Sequence, residues 1–232
     1  MAKRKRSKSK QTKRKPRDLS SLDRRSRQQP PRQSILIVCE GKATEPNYFQ
    51  SLRRELRLSS VEVQIEGEGA APITVVERAI QIKNERRREA KKARKQGNRR
   101  IVPFDEVWCV FDVERLVHNP SFDRAVKKAR ASDFNLAISN PAFEYWYLLH
   151  FKETSRPFQD ASDLLKALKQ ADCLPNYGKS QDLFYNLLPN MNTAIERASR
   201  ILAKHPDKTT DFPNPSTLVF KLVLRLKEMA QN

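Results

Sequence analysis

A run of five apolar residues, ILIVC at residues 35–39, constrains the fold of this chain most strongly. A continuous apolar run with several β-branched residues is typical of a strand that is buried on both faces, as in a sheet covered by helices. The acid Glu40 follows the run directly. It is either the polar end of the strand or the group that the strand presents to a binding site.

Strand and helix patterns alternate from Ser34 to Phe151. Further strands are predicted at VEVQIE, EVWCVFD and NLAIS, and helices at EPNYFQSLRREL, in the segment that opens with Ala71-Pro72, at SFDRAVKKARAS and at PAFEYWYLLHF. Thr44 is expected to cap the first of these helices and Asn140 the last. The alternation predicts an α/β fold with a mostly parallel sheet covered by helices.

No strand pattern follows Phe151, and the remaining apolar spacing is helical. Helices are predicted at 160–171, 181–188, 192–204 and 217–229, the last with Ser216 as a candidate cap. We therefore expect three regions: a basic tail at 1–33, an α/β core at 34–152, and a helical C-terminal part of the same domain at 153–232.

The net charge of +19 is concentrated in two segments. Residues 1–33 contain 14 Lys/Arg and 2 Asp, and residues 83–100 contain 10 Lys/Arg and 2 Glu. The first segment has almost nothing to bury and is predicted to be disordered, whereas the second is predicted to be an exposed helical arm. Such runs either bind the phosphate backbone of nucleic acid without reading bases or are merely solvated. The candidate contacts in the arm are Arg86, Arg87, Arg88, Lys91, Lys92, Arg94 and Lys95.

Several classes of protein are disfavoured by composition. The three cysteines are widely spaced, which argues against a disulfide framework or a structural zinc site and indicates reduced thiols. No apolar stretch approaches the roughly 20 residues that span a bilayer. The N-terminus is basic and lacks the apolar segment of a secretory signal. We expect a cytoplasmic protein without a membrane partner.

Acids stand at the ends of two predicted strands. Glu40 ends the first, and Asp112 ends the third, with Glu114 two residues later. In an extended segment residues i and i+2 point the same way, so Asp112 and Glu114 can face one point, beside Glu40 if the two strands are neighbours. Converging carboxylates would bind Mg²⁺ or Mn²⁺. Acids after a strand are also common as helix caps and turn residues.

Four segments together are more specific. ILIVCEGKATEPNYF, VWCVFDVE, ISNPAFEYWYLLHF and NPSTLVFKLV occur in this order between Ser34 and the C-terminus. In order and context they resemble the RloB-like family, which is related to the Toprim domain of topoisomerases, primases and some nucleases. The resemblance leaves out the basic tail. It implies a Toprim-like sheet as the core of the fold.

The resemblance also implies a site and an activity. Glu40 would correspond to the Toprim glutamate, and Asp112 with Glu114 to its D-x-D pair, with Glu in the second place. By the same resemblance Asp112 and Glu114 would hold the metal ion, and Glu40 would either complete the metal ligands or act as general acid or base. Glu144 is a further catalytic candidate. The implied activity is Mg²⁺- or Mn²⁺-dependent cleavage of phosphodiester bonds in DNA or RNA. The implied setting is antiviral defence or abortive infection, with an AAA- or ABC-type ATPase partner.

The sequence allows more than one role for several side chains and more than one function for the protein. Lys42 either pairs with a phosphate or is a solvated surface lysine, and Glu144 also suits the dipole of a first helical turn. Packing in the core is favoured over base stacking for Tyr145, Trp146 and Tyr147, and over catalysis for His150. The rival function is a non-catalytic nucleic-acid-binding or adaptor subunit. A basic ribosome-associated protein would leave the acids at the strand ends without a role.

Overall fold

The computed structural model describes residues 33–58, 61–65, 71–113, 120–205 and 212–231, and for 61–65 the backbone only. The predicted disordered tail lies outside these ranges except for Gln33, and so does Glu114. Residues 31–232 cluster as one compact unit. The sheet and helices that follow all belong to that unit.

A five-stranded sheet forms the centre of the unit. Its order is β2 (Val61–Ile65), β1 (Ile35–Cys39), β3 (Glu106–Asp112), β4 (Asn135–Asn140) and β5 (Ser216–Thr217). The first four strands are parallel, and β5 is antiparallel to β4. This confirms the predicted α/β fold with its mostly parallel sheet, and it places β1 beside β3 as the candidate site requires.

Helices cover the sheet and form the C-terminal part. They are α1 (Thr44–Glu55), α2 (Pro72–Lys95), α3 (Pro120–Ala131), α4 (Glu144–Phe151), α5 (Ala161–Leu168), α6 (Phe184–Leu187), α7 (Met191–Ala203) and α8 (Val219–Gln231). A 3-10 turn, Leu188–Asn190, joins α6 to α7. None of the helices within the described ranges has the length and apolar character needed to cross a bilayer.

The core lies on both faces of the central strands. All five residues of β1 are fully buried, as are most of β3, because helices cover each face. Tyr145, Trp146 and Tyr147 are buried in the core, which confirms packing over base stacking. His150 is also buried, with Nδ1 2.9 Å from the Trp146 carbonyl, and burial lowers the pKa of His150 to about 4. A neutral packed histidine fits these facts.

Three predicted helix caps are wrong. Thr44 is the first residue of α1, after Ala43, and its hydroxyl donates instead to the Lys179 carbonyl at 3.2 Å. Asn140 is the last residue of β4 and lies four residues before Glu144, where α4 begins. Its side-chain amide donates to the Phe212 carbonyl at 2.7 Å. Each side chain bonds to a segment distant in sequence, which local helix rules do not anticipate.

The third wrong cap, Ser216, belongs to the strand that the sequence did not reveal. Ser216 and Thr217 form β5, and Thr217 Oγ1 accepts the N–H of Val219 at the start of α8. The Thr217 hydroxyl also lies 2.9 Å from the Ser139 hydroxyl of β4. A strand of two residues is too short to show alternation, so the prediction that no strand follows Phe151 is overturned.

Candidate active site at the carboxyl ends of the strands

An open pocket of about 190 Å³ lies beyond the carboxyl ends of β1 and β3. Ligand sites of parallel sheets gather at this edge because the loops that follow adjacent strands meet there. The pocket is lined by Glu40, Gly41, Lys42, Ala43, Thr44, Glu45, Asp112, Phe143, Glu144 and Lys179. Four of these residues are acids, and they come from the ends of two strands and from the first turns of α1 and α4.

Glu40 is held by the backbone of β3. Its own N–H donates to the Val110 carbonyl at 3.0 Å, and its Oε2 accepts the N–H of Asp112 at 3.1 Å. The strand therefore positions both the backbone and the carboxylate of Glu40 against the residue that ends β3. This contact brings two of the predicted site residues together.

Asp112 carries the most unusual electrostatic environment of the pocket. Its Oδ1 is buried and has no hydrogen-bond partner among the described residues. The pKa of Asp112 is raised well above its usual value, first by desolvation and then by the negative charges of Glu45, Glu144 and Glu40. A backbone hydrogen bond from Phe143 lowers the pKa, but less strongly. Asp112 is thus an acid whose charged form is disfavoured by burial and by its neighbours in the described part of the chain.

Glu45 is a member of this cluster that sequence reasoning missed. It lies in the first turn of α1 and is buried. Burial raises its pKa, as does Glu144, whereas hydrogen bonds to backbone at Glu45 and Gly41 and the charge of Lys179 lower it. Its place in the first turn of the helix that follows the acid-bearing strand was a visible signal.

Gly41 makes room for the Glu45 carboxylate. A Cβ at position 41 would lie 2.9 Å from Glu45 Oε1 and 3.0 Å from its Cδ, and closer still to Oε2. These separations are too short for ordinary contacts, so a side chain at 41 would displace the acid. The glycine is needed here for the approach of a side chain.

Glu144 is fixed from the helical C-terminal part. The Tyr177 hydroxyl donates to Glu144 Oε1 at 2.7 Å and lies 3.4 Å from the hydroxyl of Thr44. Glu144 is buried in the first turn of α4, as the sequence predicts. The helical part therefore helps to build the pocket and is more than a cover for the sheet.

Two lysines border the acids. Lys42 follows β1 and Lys179 lies in the connection between α5 and α6, and both are exposed. The connection is attached to α1, where the Ser51 hydroxyl donates to Asp182 at 2.8 Å and the Arg54 guanidinium lies 3.4 Å from the same carboxylate. Lys179 therefore enters the pocket from an anchored segment. No local pattern in the sequence indicates its place there.

The carboxylate oxygens of the pocket suit a hard divalent cation, although the described acids are not arranged as a complete metal site. Carboxylate oxygens are the groups that Mg²⁺ and Mn²⁺ prefer, and Asp112 Oδ1 is a buried oxygen without a partner in the described part of the chain. No set of three or more His, Cys, Asp or Glu side chains in the described ranges is already arranged to hold a metal ion. Glu114, the third expected ligand, lies outside those ranges.

The predicted basic contacts divide between two places. Lys42 lines the pocket, whereas none of the seven basic residues predicted to bind in the arm, Arg86 to Lys95, is among the lining residues. These seven lie in the last turns of α2. The carboxylate pocket and the basic arm are therefore separate features of the protein.

A comparison with family models gives one match. The family described as RloB-like protein matches residues 35–226, which includes every described residue that lines the pocket. No curated protein and no solved structure matches the chain.

Proposed function

The chain belongs to the RloB-like family, and from this premise we propose that it cleaves phosphodiester bonds in nucleic acid at the carboxylate pocket, with Mg²⁺ or Mn²⁺. The observation that carries the proposal is Asp112, whose buried Oδ1 lacks a partner among the described residues while three other acids raise its pKa. A cation among these acids would offset their mutual repulsion. The open pocket gives a phosphate access to them.

The residues divide into ligands and supporting groups. Asp112 and Glu40, with Glu114, would hold the cation, and Glu45 is a further carboxylate in the same pocket. When bound, a divalent cation neutralises charge that develops on the phosphate. Glu144 is kept in one orientation by Tyr177, which suits a group that accepts or donates a proton. Lys42 and Lys179 offer positive charge for phosphate oxygens at the rim.

A cleavage assay tests the proposal. Purified full-length protein is incubated with end-labelled single- and double-stranded DNA and RNA in Mg²⁺, Mn²⁺ or EDTA. We expect cutting with either cation, none in EDTA, and a loss of at least a hundredfold in Asp112→Asn, since the variant keeps the shape but loses the charge. Cutting that persists in EDTA or in Asp112→Asn would contradict the proposal.

The second candidate is a non-catalytic nucleic-acid-binding or adaptor subunit. It is favoured by the lack of a ready-made metal-holding group in the described ranges and by Glu at position 114. In that case nucleic acid binds with a strong salt dependence but is not cut under any metal condition. Asp112→Asn would then leave the affinity for nucleic acid unchanged.

A role in antiviral defence beside an AAA- or ABC-type ATPase is part of the proposal and rests on the family resemblance alone. Copurification of the protein with the products of neighbouring genes tests it. Recovery of an ATPase in stoichiometric amount is expected. Recovery of the protein alone from cells that express such an ATPase would contradict this part of the proposal and leave the cleavage reaction untouched.

A further inference from the structure

The basic end of α2 lies at the edge of the sheet opposite the carboxylate pocket. Lys83 Nζ lies 4.8 Å from the centre of the Phe134 ring and 3.4 Å from the Ser132 carbonyl, just before β4 begins. The Cζ atom of Arg86 lies 4.8 Å from the centre of the Phe104 ring, and Phe104 stands two residues before β3 begins. At Lys83 and Arg86 the helix is therefore level with the amino ends of the strands.

The separation between the two features is large. The seven residues of β3 span about 20 Å at roughly 3.3 Å per residue, and Asp112 ends the strand on the pocket side. Beyond Arg86 the helix continues to Lys95, about 13 Å further at 1.5 Å per residue. One short stretch of nucleic acid, a few nucleotides long, therefore cannot contact both the pocket and residues 87–95.

Residues 87–95, the α2 arm, present a dense positive surface. Six of the nine residues are exposed and basic: Arg87, Arg88, Lys91, Lys92, Arg94 and Lys95. Residues four apart lie on the same side of a helix, so the basic residues form two adjacent rows. One row contains positions 87, 91 and 95, and the other contains positions 88 and 92. No acid in the described part of the chain forms an ion pair with any of the six within 4.0 Å.

The arm is the continuation of an anchored helix. Immediately before it, the same helix α2 is attached to the sheet side by Lys83 on Phe134 and by Arg86 on Phe104, and Ala90 and Ala93 are buried within the arm. After the helix ends, the N–H of Asn98 returns to the Ala93 carbonyl at 2.9 Å, and the exposed Arg99 and Arg100 follow. A fixed row of charges loses less conformational entropy on binding than a flexible run of the same composition.

We propose that the α2 arm is a second nucleic-acid site, which binds the phosphate backbone of a stretch remote from the pocket. Its charge density favours a polyanion with closely spaced phosphates, and the rows of Arg and Lys carry no means of reading bases. The inference rests on the proposed function only in taking the bound nucleic acid to be the substrate. The arm would hold long nucleic acid while the pocket acts on a distant bond.

The test measures binding without cleavage. Full-length protein is titrated in EDTA against a fluorescein-labelled 40-base-pair DNA duplex, and anisotropy is recorded between 50 and 200 mM salt. The arm variant combines Arg87→Gln, Arg88→Gln, Lys91→Gln and Lys92→Gln. The matched control removes four exposed lysines from or beside α5, α7 and α8: Lys166→Gln, Lys169→Gln, Lys204→Gln and Lys221→Gln. Glutamine keeps a helix propensity close to that of Lys and Arg.

The expected result is specific to the arm. Removing one cation that binds a phosphate reduces the magnitude of the slope of log K against log salt by about 0.9. The arm variant removes four, so its slope should decrease in magnitude by about 3.6, and its affinity should fall at least tenfold at 150 mM salt. The control should lose less than 1 from the slope. Equal losses in the two variants, or an arm variant that binds as wild type does, would overturn the inference.

Two readouts separate this inference from the proposed function. If metal-dependent cleavage is absent but the arm variant still loses affinity, the cleavage proposal fails and the second site stands. If cleavage is present but the arm and control variants bind alike, the second site fails and the cleavage proposal stands. An unfolding midpoint within 2 °C of wild type confirms that the arm variant is folded, as expected for exposed side chains.

Discussion

The hydroxyl of Tyr177 donates a 2.7 Å hydrogen bond to Glu144 Oε1. This bond joins the connection between α5 and α6 to the first turn of α4, and so it links the helical C-terminal part to the acids at the strand ends. Both side chains are buried. The helical part therefore contributes to the site as well as to the stability of the fold.

Tyr177→Phe should destabilise the protein by about 1–2 kcal/mol, because a buried carboxylate oxygen loses its donor. Denaturant unfolding measures the change. Tyr185→Phe is the matched control, since the Tyr185 side chain is 62% exposed and should change the free energy of unfolding by less than about 0.5 kcal/mol. Equal effects of the two variants would mean that the Tyr177 hydroxyl bond contributes nothing specific.

Stability should fall as pH rises in the absence of divalent cations. Desolvation and the neighbouring acids raise the pKa of Asp112, and desolvation and Glu144 raise that of Glu45. A raised pKa in the folded state favours folding at pH values below the unfolded pKa, near 4, and this contribution disappears as pH rises through the folded pKa. Urea unfolding in EDTA between pH 4.5 and 8 measures the decline.

Asp112→Asn identifies the source of that decline. The neutral amide removes one titrating group. In the pH range where Asp112 keeps its proton only in the folded state, the slope of the free energy of unfolding against pH should therefore be less negative by up to about 1.4 kcal/mol per pH unit. Asp172→Asn, at an exposed acid, should leave the slope unchanged. A wild-type slope in Asp112→Asn would show that Asp112 does not keep its proton in the folded state above its unfolded pKa.

Gly41 and Glu45 should be energetically coupled. Gly41→Ala places a Cβ against the Glu45 carboxylate, and displacing this buried group from its hydrogen bonds to the backbone at Glu45 and Gly41 should cost about 1–2 kcal/mol. In a Glu45→Ala background the same change should cost at least about 1 kcal/mol less, because the obstacle is gone. Unfolding of the four proteins of this cycle gives the coupling energy. Additive effects would contradict the close approach of the two residues.

Lys179→Gln should weaken the interaction with substrate while leaving the fold intact, because the lysine is exposed at the rim of the pocket. We expect KM for a labelled oligonucleotide to rise by about tenfold, which corresponds to a loss of about 1.4 kcal/mol in the free energy of phosphate binding. Lys169→Gln, an exposed lysine of the same connection, is the control. An unchanged KM in Lys179→Gln would place the phosphate elsewhere.

The parts of the fold that follow from local pattern are predictable. The apolar run of β1 and the pattern EVWCVFD indicate two buried strands that end in acids. The meeting of Glu40 with Asp112 is predicted on the condition that these strands are neighbours, and the structure fulfils that condition. Glu144 is identifiable because it follows β4 in the first turn of a helix. In each case a short apolar run indicates the strand, and the rule for parallel sheets indicates which end carries the site.

The parts that depend on distant contacts are not predictable. Tyr177 and Lys179 reach the pocket through a connection held by α1, and β5 exists because Ser216 and Thr217 pair with the end of β4. Local rules predict that Asn140 caps a helix. Its actual hydrogen-bond partner, the Phe212 carbonyl, lies 72 positions further along the chain, where a local rule does not look. A rule that considers only a short window of sequence cannot predict contacts between residues so far apart.

The central claim is that the carboxylate pocket binds a divalent cation, and direct counting of bound Mn²⁺ tests it most directly. Mn²⁺ is titrated into metal-free full-length protein, and the free ion is measured from its electron paramagnetic resonance signal, with Asp172→Asn as the control for an exposed acid. We expect saturable binding by wild type and Asp172→Asn, and binding at least tenfold weaker in Asp112→Asn. Equal binding by Asp112→Asn and wild type, or no saturable binding by wild type, would contradict the claim.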